Sequence, residues 1–227
     1  GVFYFYKKTG KLDVMGKLYN EIKQDKWEWY YDNGKTTEIA YYHDGKVSGT
    51  RRVFFEDGTP EYEGVYEDGI KNGLFVWYHK NGKIYNKGVY TYDKKEGSWE
   101  WYNEDGILEI RANYLNGVLF GIRELYLPNG KVKVQEYYIA GQKEGKWLYY
   151  YENNNIQETI NYLSDQLHGE RILNNQKGKP LQIENYHLGQ KHGKFLYYNL
   201  TGELMKECNY FYDVSDGDCT DFEKENK

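Results

Sequence analysis

The amino-acid sequence predicts an all-β protein, an elongated single-layer antiparallel sheet of nine consecutive 24-residue β-hairpin repeats. Three observations predict it. Tyr, Trp and Phe make up 19% of the 227 residues while the mean hydropathy is −0.94, so rings supply much of the apolar surface. With 25 Gly against 3 Pro the turns fall to glycine, and aromatic residues favour strands. Finally, the chain repeats itself: stepping by 24 from Gly1 meets Asp25, Gly49, Gly73, Gly97, Gly121, Gly145, Gly169, Gly193 and Gly217.

Each unit reads as a first strand, a turn, a second strand and a connection. The frame divides the array into 1–24, 25–48, 49–72, 73–96, 97–120, 121–144, 145–168, 169–192 and 193–216, followed by a cap fragment and acidic tail at 217–227. In the first strand, rings stand two apart, as Trp99 and Trp101 do, the spacing of one face of a strand. The turn that follows carries Gly10, Gly34, Gly58, Gly82, Gly106, Gly130, Asn154, Gly178 and Gly202, the one exception being Asn, which also tolerates φ > 0. Asn or Asp precedes that position from Asn33 to Asn153, and Asn-Gly or Asp-Gly predicts a two-residue type I′ turn. That turn places Trp27 opposite Ala40, Phe75 opposite Gly88, Trp99 opposite Ala112 and Trp101 opposite Ile110. The second strand ends in a third column, Tyr42, Tyr66, Tyr90, Tyr114, Tyr138, Tyr162, Tyr186 and Tyr210, with Leu18 standing in the first unit. Connections such as "HDGKVSG" and "EDGIKNG" join the units; either plausible pairing there keeps the same parity, which makes about eighteen strands.

One face then carries Trp27, Arg51, Phe75, Trp99, Arg123, Trp147, Arg171 and Phe195, extended by Trp29, Trp77, Trp101, Leu125, Tyr149 and Tyr197. Gly16, Ala40, Gly64, Gly88 and Ala112 alternate with it, as large rings over residues without bulk would require. A sheet of one layer leaves such a face partly exposed, an aromatic groove and a candidate binding surface.

The pattern G-x-W-x-x-Y-Y-x-N-G-K, as in "DKWEWYYDNGK" and "GKWLYYYENNN", resembles the MORN repeat, and more closely its bacterial variant. The resemblance covers residues 1–216, with departures at Asp25, Leu18, Asn154 and an eighth unit, "GERILNNQKG", that has lost its aromatic run. It implies a scaffold or interaction platform; bacterial variants are often labelled antitoxin-like, and some relatives are proposed to bind anionic phospholipid. Such repeats also occur beside phosphatidylinositol phosphate kinase domains, so a kinase label on this chain would be inherited from the repeats alone. No phosphate-cradling loop opens a helix and no kinase catalytic-loop signature is present.

Cys208 and Cys219, the two cysteines, share a face near the last turn. They read either as a disulfide stapling the last hairpin or as two unpaired thiols, and a disulfide would lean the compartment, otherwise open, toward the periplasm or cell envelope. His43, His79, His168, His187 and His192 read as solvated loop histidines, with no metal and no cofactor expected. Arg123 is placed to pair with Glu136 and Arg171 with Glu184, so the arginines of the ladder read first as structural and second as binding residues. Lys11, Lys35, Lys83, Lys131 and Lys179, which follow turn glycines, read as solvated.

The net charge of −5 is spread along the chain without a basic cluster, which argues against nucleic acid. No run of eighteen apolar residues is present for a membrane helix. The expectation is a non-catalytic scaffold that binds an unidentified protein partner, or a second copy, through the aromatic and arginine groove or the sheet ends. A toxin-binding antitoxin or immunity protein and a peripheral binder of anionic lipid are the alternatives. The start in register at Gly1 and the charged tail add two expectations, repeats before Gly1 and a frayed end.

Overall fold

Alternating side chains and φ > 0 residues at both ends of each strand dictate a meander of hairpins, and a computed structural model of the chain shows one. Residues 1–222 are described; residues 223–227, on which part of the expected frayed tail falls, lie outside the described residues. The described residues are all-β, without a helix, and their strand pairs are antiparallel. The chain divides into two compact units, Gly1–Val118 and Leu119–Lys227.

The first unit is five hairpins, with β1 Val2–Tyr6, β2 Leu12–Tyr19, β3 Ile22–Tyr30, β4 Thr36–His43, β5 Lys46–Phe54, β6 Pro60–Glu67, β7 Ile70–Tyr78, β8 Ile84–Thr91, β9 Lys94–Tyr102 and β10 Leu108–Leu115. Consecutive strands pair from β1 through β10. The second unit holds β11 Val118–Tyr126, save for its first residue, β12 Val132–Ile139, β13 Gln142–Lys143, β14 Gly145–Tyr150, β15 Ile156–Leu163, β16 Gln166–Leu167 and β17 Gly169–Asn174. It continues with β18 Pro180–His187, β19 Gln190–Lys191, β20 Gly193–Tyr198, β21 Leu204–Phe211, β22 Val214–Ser215 and β23 Thr220–Asp221. The expected eighteen strands thus become 23 segments. Three first strands are interrupted at Glu144, His168 and His192, whose backbone N–H groups donate to the carbonyls of Tyr137, Asn161 and Asn185. The other extra segments, β22 and β23, form the cap on β21.

The expected registers hold: Trp27 faces Ala40, Phe75 faces Gly88, Trp99 faces Ala112 and Trp101 faces Ile110. The turn that produces them differs from the expectation. Asn33 keeps φ below zero and Gly34 alone is at +85°, with Gly34 N–H donating to Tyr31 O. This is a three-residue loop, a type I turn closed by a left-handed glycine. It pairs Tyr30 with Thr36, and Thr37 is then bulged out so that Trp29 meets Glu38. The bulge restores the register that a two-residue turn would have set.

The type I′ geometry sits instead at the connections between hairpins. There both central residues lie at positive φ, as in Asp44-Gly45 (46°, 78°), Asp68-Gly69 (48°, 86°) and Tyr92-Asp93 (48°, 63°). Asn at the hairpin turn serves through its side chain: Asn33 Oδ1 accepts from Lys35 N–H at 2.9 Å, and its amide donates to Glu56 O of the next turn at 3.0 Å. Asn81 repeats both bonds. The lysines after the turn glycines are correspondingly not free in solvent. Lys11, Lys35, Lys83, Lys131 and Lys179 donate from Nζ to the carbonyls of Asp32, Asp57, Asp105, Glu152 and Thr201 in the next turn.

Candidate functional site

The aromatic ladder separates into two rows. The inner row is closed: in the first unit Trp27, Phe75 and Trp99 are buried, the last two at 0% and 1% exposure, and in the second unit Trp147 and Phe195 are buried, Phe195 at 0%. The expectation of a partly exposed inner row is therefore corrected. Three things cover these rings. In the first unit a glycine on the preceding strand makes room, since a Cβ on Gly16, Gly64 or Gly88 would lie 2.1, 2.2 or 2.1 Å from the rings of Trp27, Phe75 and Trp99, whereas Glu136 and Glu184 hold the equivalent positions before Trp147 and Phe195. The third-column tyrosines meet the rings largely edge-on: Tyr66 and Tyr90 flank Phe75 at 5.3 and 5.0 Å, and Tyr138 and Tyr162 flank Trp147 at 5.3 and 5.1 Å. Each such pair adds about 0.5–1.5 kcal/mol beyond its buried area. Lysine covers the remaining side.

Lys95 Nζ stands 4.4 Å from the centre of Trp99, 5.0 Å from Trp101 and 4.9 Å from Tyr114. Lys23 does the same over Trp27, Trp29 and Tyr42, as do Lys71, Lys143 and Lys191 over the rings of the repeat that follows each. Burial against the rings pulls the Lys95 and Lys23 ammonium groups below the ordinary lysine range, with the carboxylate of Glu38 opposing the shift at Lys23. The indole N–H groups are satisfied as well: Trp27, Trp99 and Trp147 donate to the carbonyls of Lys17, Val89 and Tyr137 at 3.1 to 3.2 Å.

This arrangement exposes a pattern that the sequence reading missed. Where the ladder residue is aromatic, the residue four earlier is Lys, at Lys23, Lys71, Lys95, Lys143 and Lys191. Where it is Arg51, Arg123 or Arg171, the residue four earlier is Val47, Leu119 or Leu167. Each of these repeats places one cation on this part of the sheet, either over the ring or in place of it. The arginines are tied inward, as their structural reading expected. Arg51 grips Glu38 with two bonds of 2.8 and 2.9 Å, Arg123 meets Glu136 at 2.5 Å, and Arg171 bridges Glu158 and Glu184. The Glu38 hydrogen bonds hold the Arg51 guanidinium pKa above its ordinary value.

The outer row stays half-buried: Trp29, Trp77 and Trp101 in the first unit, Leu125, Tyr149 and Tyr197 in the second. Beside it the five lysines form no ion pair with a carboxylate among the described residues, in contrast to Lys87 with Glu100 or Lys194 with Glu207. Shallow cavities of about 420 and 520 Å³ lie elsewhere, among the hairpin turns around Leu200 and Asn33.

Two further expectations meet the structure at the second unit's end. Cys208 and Cys219 are joined as a disulfide, with Cα atoms 4.4 Å apart, tying β21 to the cap. His168, His187 and His192 are half-buried and in ring contact, rather than solvated loop residues. Among the described residues no group of His, Cys, Asp and Glu is arranged to hold a metal ion.

The model of the MORN repeat variant family matches seven times, at residues 26–44, 47–68, 71–92, 95–116, 121–140, 143–163 and 191–211. The chain belongs to the MORN repeat variant family. MORN repeats are in general interaction modules, and the repeat is itself non-catalytic. The stretch between matches at 164–190 contains the repeat that lost its aromatic run around Arg171, although its turn glycines Gly169, Gly178 and Gly189 remain. None of the curated proteins matches the chain. Among solved structures, the crystal structure of TcdB2-TccC3 is 11% identical with a TM-score of 0.21, covering 92% of this chain and 15% of that one. The Photorhabdus luminescens Tc holotoxin pore with the TccC3-D651A mutation is 13% identical with a TM-score of 0.19, covering 94% and 14%. The MORN chain thus spans about 15% of the first structure's chain, and likenesses at these TM-scores carry no argument.

Proposed function

We propose that this MORN repeat chain is a non-catalytic scaffold that binds a protein partner through the outer row of its aromatic surface. The observation that carries the reading is the division of labour within each repeat. Where the ladder residue is aromatic, the inner ring is enclosed by tyrosine and lysine, with a glycine beside it in the first unit, while the outer ring next to it keeps an open edge beside a lysine without a carboxylate partner. Aromatic rings with an adjacent cation are the composition that dominates binding energy at protein interfaces. The arginines of the ladder, held by Glu38, Glu136, Glu158 and Glu184, position the surface rather than supply free donors.

The test compares proteins captured by the parent chain with those captured by two folded variants. Trp29→Ala/Trp77→Ala/Trp101→Ala removes the first unit's outer row, and Arg52→Ala removes an exposed side chain that pairs with Glu63 away from these rings. Loss of a captured protein with the first variant and its retention with the second supports the reading. Equal capture by all three places binding elsewhere and overturns it.

A further inference from the structure

The edge where one hairpin passes into the next carries a device that neither the aromatic surface nor its binding role uses. At each type I′ connection the second residue donates its N–H to a carbonyl in the connection before it: Gly45 to Lys23 O, Gly117 to Lys95 O, Asp165 to Lys143 O and Gly189 to Leu167 O, at 2.8 to 3.0 Å. At four of the connections the first residue donates instead to a side chain one repeat back. Asp44 N–H meets Gln24 Oε1 at 3.3 Å, and Gln24 returns a bond to Asp44 Oδ1 at 2.8 Å. Asn116 N–H meets Glu96 Oε2 at 2.9 Å, and Ser164 N–H meets Glu144 Oε2 at 2.9 Å. At the same place in the repeat, Leu188 N–H meets His168 Nδ1 at 3.4 Å.

At these four connections the position is therefore a clasp between neighbouring repeats, filled by the amide of Gln24, the carboxylates of Glu96 and Glu144 or the imidazole of His168. His192 fills it in the following repeat, where its Nδ1 is closed to solvent and without a hydrogen-bond partner. His187 lies between the two, its ring centre 5.1 Å from that of His168 and 5.8 Å from that of His192. Phe211 and Tyr212 close over His192 at 5.3 and 4.8 Å.

Most of the charged groups on the surrounding elements are otherwise engaged. Asp165 and Asp213, on the flanking turns, accept the backbone N–H of Lys143 and Lys191. Lys191 holds its ammonium over Phe195 and Tyr210, and Asp216 accepts from Asn209. Glu170 and Lys194, on β17 and β20, present their backbone carbonyls to Asn161 and Asn185, and the Lys194 ammonium pairs with Glu207. The carboxylate of Glu170 and the phenol of Tyr212 are further titratable groups there. Among the described residues the histidine in an ion pair is His43 with Asp44, not one of these three.

We propose that His168, His187 and His192 form an acid-sensitive clasp that ties the connection at Leu188 to the repeat before it at neutral pH and loosens that connection as the pH falls toward 5. A neutral imidazole can present a lone pair at Nδ1 to the Leu188 N–H, whereas a protonated one is a donor at both nitrogens and faces that N–H with another hydrogen. Protonated His192 would carry a buried N–H with no acceptor, which costs the desolvation of that group. Three adjacent rings also cannot all gain charge without mutual repulsion. Imidazoles ordinarily titrate between pH 5 and 8 and carboxylates well below that range, whereas the amide of Gln24 does not titrate at all. Mild acid therefore acts on this connection and spares its counterparts, while the Cys208–Cys219 disulfide keeps the cap attached throughout.

Amide hydrogen exchange on the full chain at pH 7.5 and 5.0, corrected for intrinsic exchange, tests this directly. The Leu188 amide should lose about tenfold or more of its protection at pH 5.0, while Asp44, Asn116 and Ser164 change by less than about twofold. His168→Gln/His192→Gln, which copies the natural Gln24 clasp, should keep Leu188 protected at both pH values. Should that variant fail to fold, His187→Phe retains a ring while removing one titrating group, and should shrink the loss. Equal protection of Leu188 at both pH values, or a loss undiminished in the folded variants, would overturn the proposal.

Discussion

Gly88 shows how one residue shapes this surface. The Trp99 ring occupies the space where its side chain would begin, 2.1 Å from a Cβ built there, and the contact is with fixed ring atoms. Gly88→Ala is expected to lower unfolding free energy by about 1–3 kcal/mol in urea denaturation, the cost of overpacking a closed site. An unchanged midpoint would mean that the ring shifts freely. Glycines opposite rings are legible from the sequence because cross-strand position follows from the 24-residue frame. The exchange of Lys for Val or Leu opposite Arg is written in the same frame, at Lys23 and Trp27 against Val47 and Arg51, but its meaning depends on the bulge at Gly49, which brings the earlier residue over the later one. Arg51 faces Ala40 and Gly64, the same small neighbours that accommodate rings elsewhere. Arg51→Trp combined with Val47→Lys should therefore be more stable than Arg51→Trp alone, by about 0.5–1 kcal/mol, the worth of a cation over an aromatic face. Chemical denaturation of both variants measures that difference.

At the scale of the hairpin, the register was legible and the turn was not. Asn-Gly suits a type I′ turn, but here the Asn side chain is used to tie successive turns together, and the backbone takes a type I turn with a bulge that yields the same pairing. Two compensating departures, each of one residue, leave the parity unchanged, which is why Trp99 still faces Ala112. The histidine cluster was not legible because it needs the close approach of two successive connections, a distance that strand parity does not supply. The hairpin also has a pH signature of its own. Burial, then the charge and hydrogen bond of Glu136 and of Glu184, raise the phenols of Tyr138 and Tyr186 to about 12. An unfolded tyrosine loses its proton near pH 10. Because the fold favours the neutral phenol, this contribution is complete below pH 10 and is lost as the pH rises from 10 to about 12. Thermal midpoints should fall across that window, and Tyr138→Phe/Tyr186→Phe should flatten the fall; a slope identical to the parent's would assign it to other groups.

For the molecule as a whole, the repeat is the unit of stability, since each hairpin rests on its neighbours and a defect in one is felt next door. The 24-residue frame runs unbroken through Val118 and Leu119, so the division into two compact units was not legible, whereas the weak eighth repeat was. The central proposal is that inner rings build the fold and outer rings meet the partner. That claim is tested most directly by a matched pair of variants, Trp99→Ala and Trp101→Ala, read for both urea stability and capture of partner proteins. Trp99→Ala empties a buried site and should cost about 3–5 kcal/mol. Trp101→Ala should cost clearly less and, while folded, should lose the captured protein. A folded Trp101→Ala chain that captures the same proteins as the parent would contradict the account.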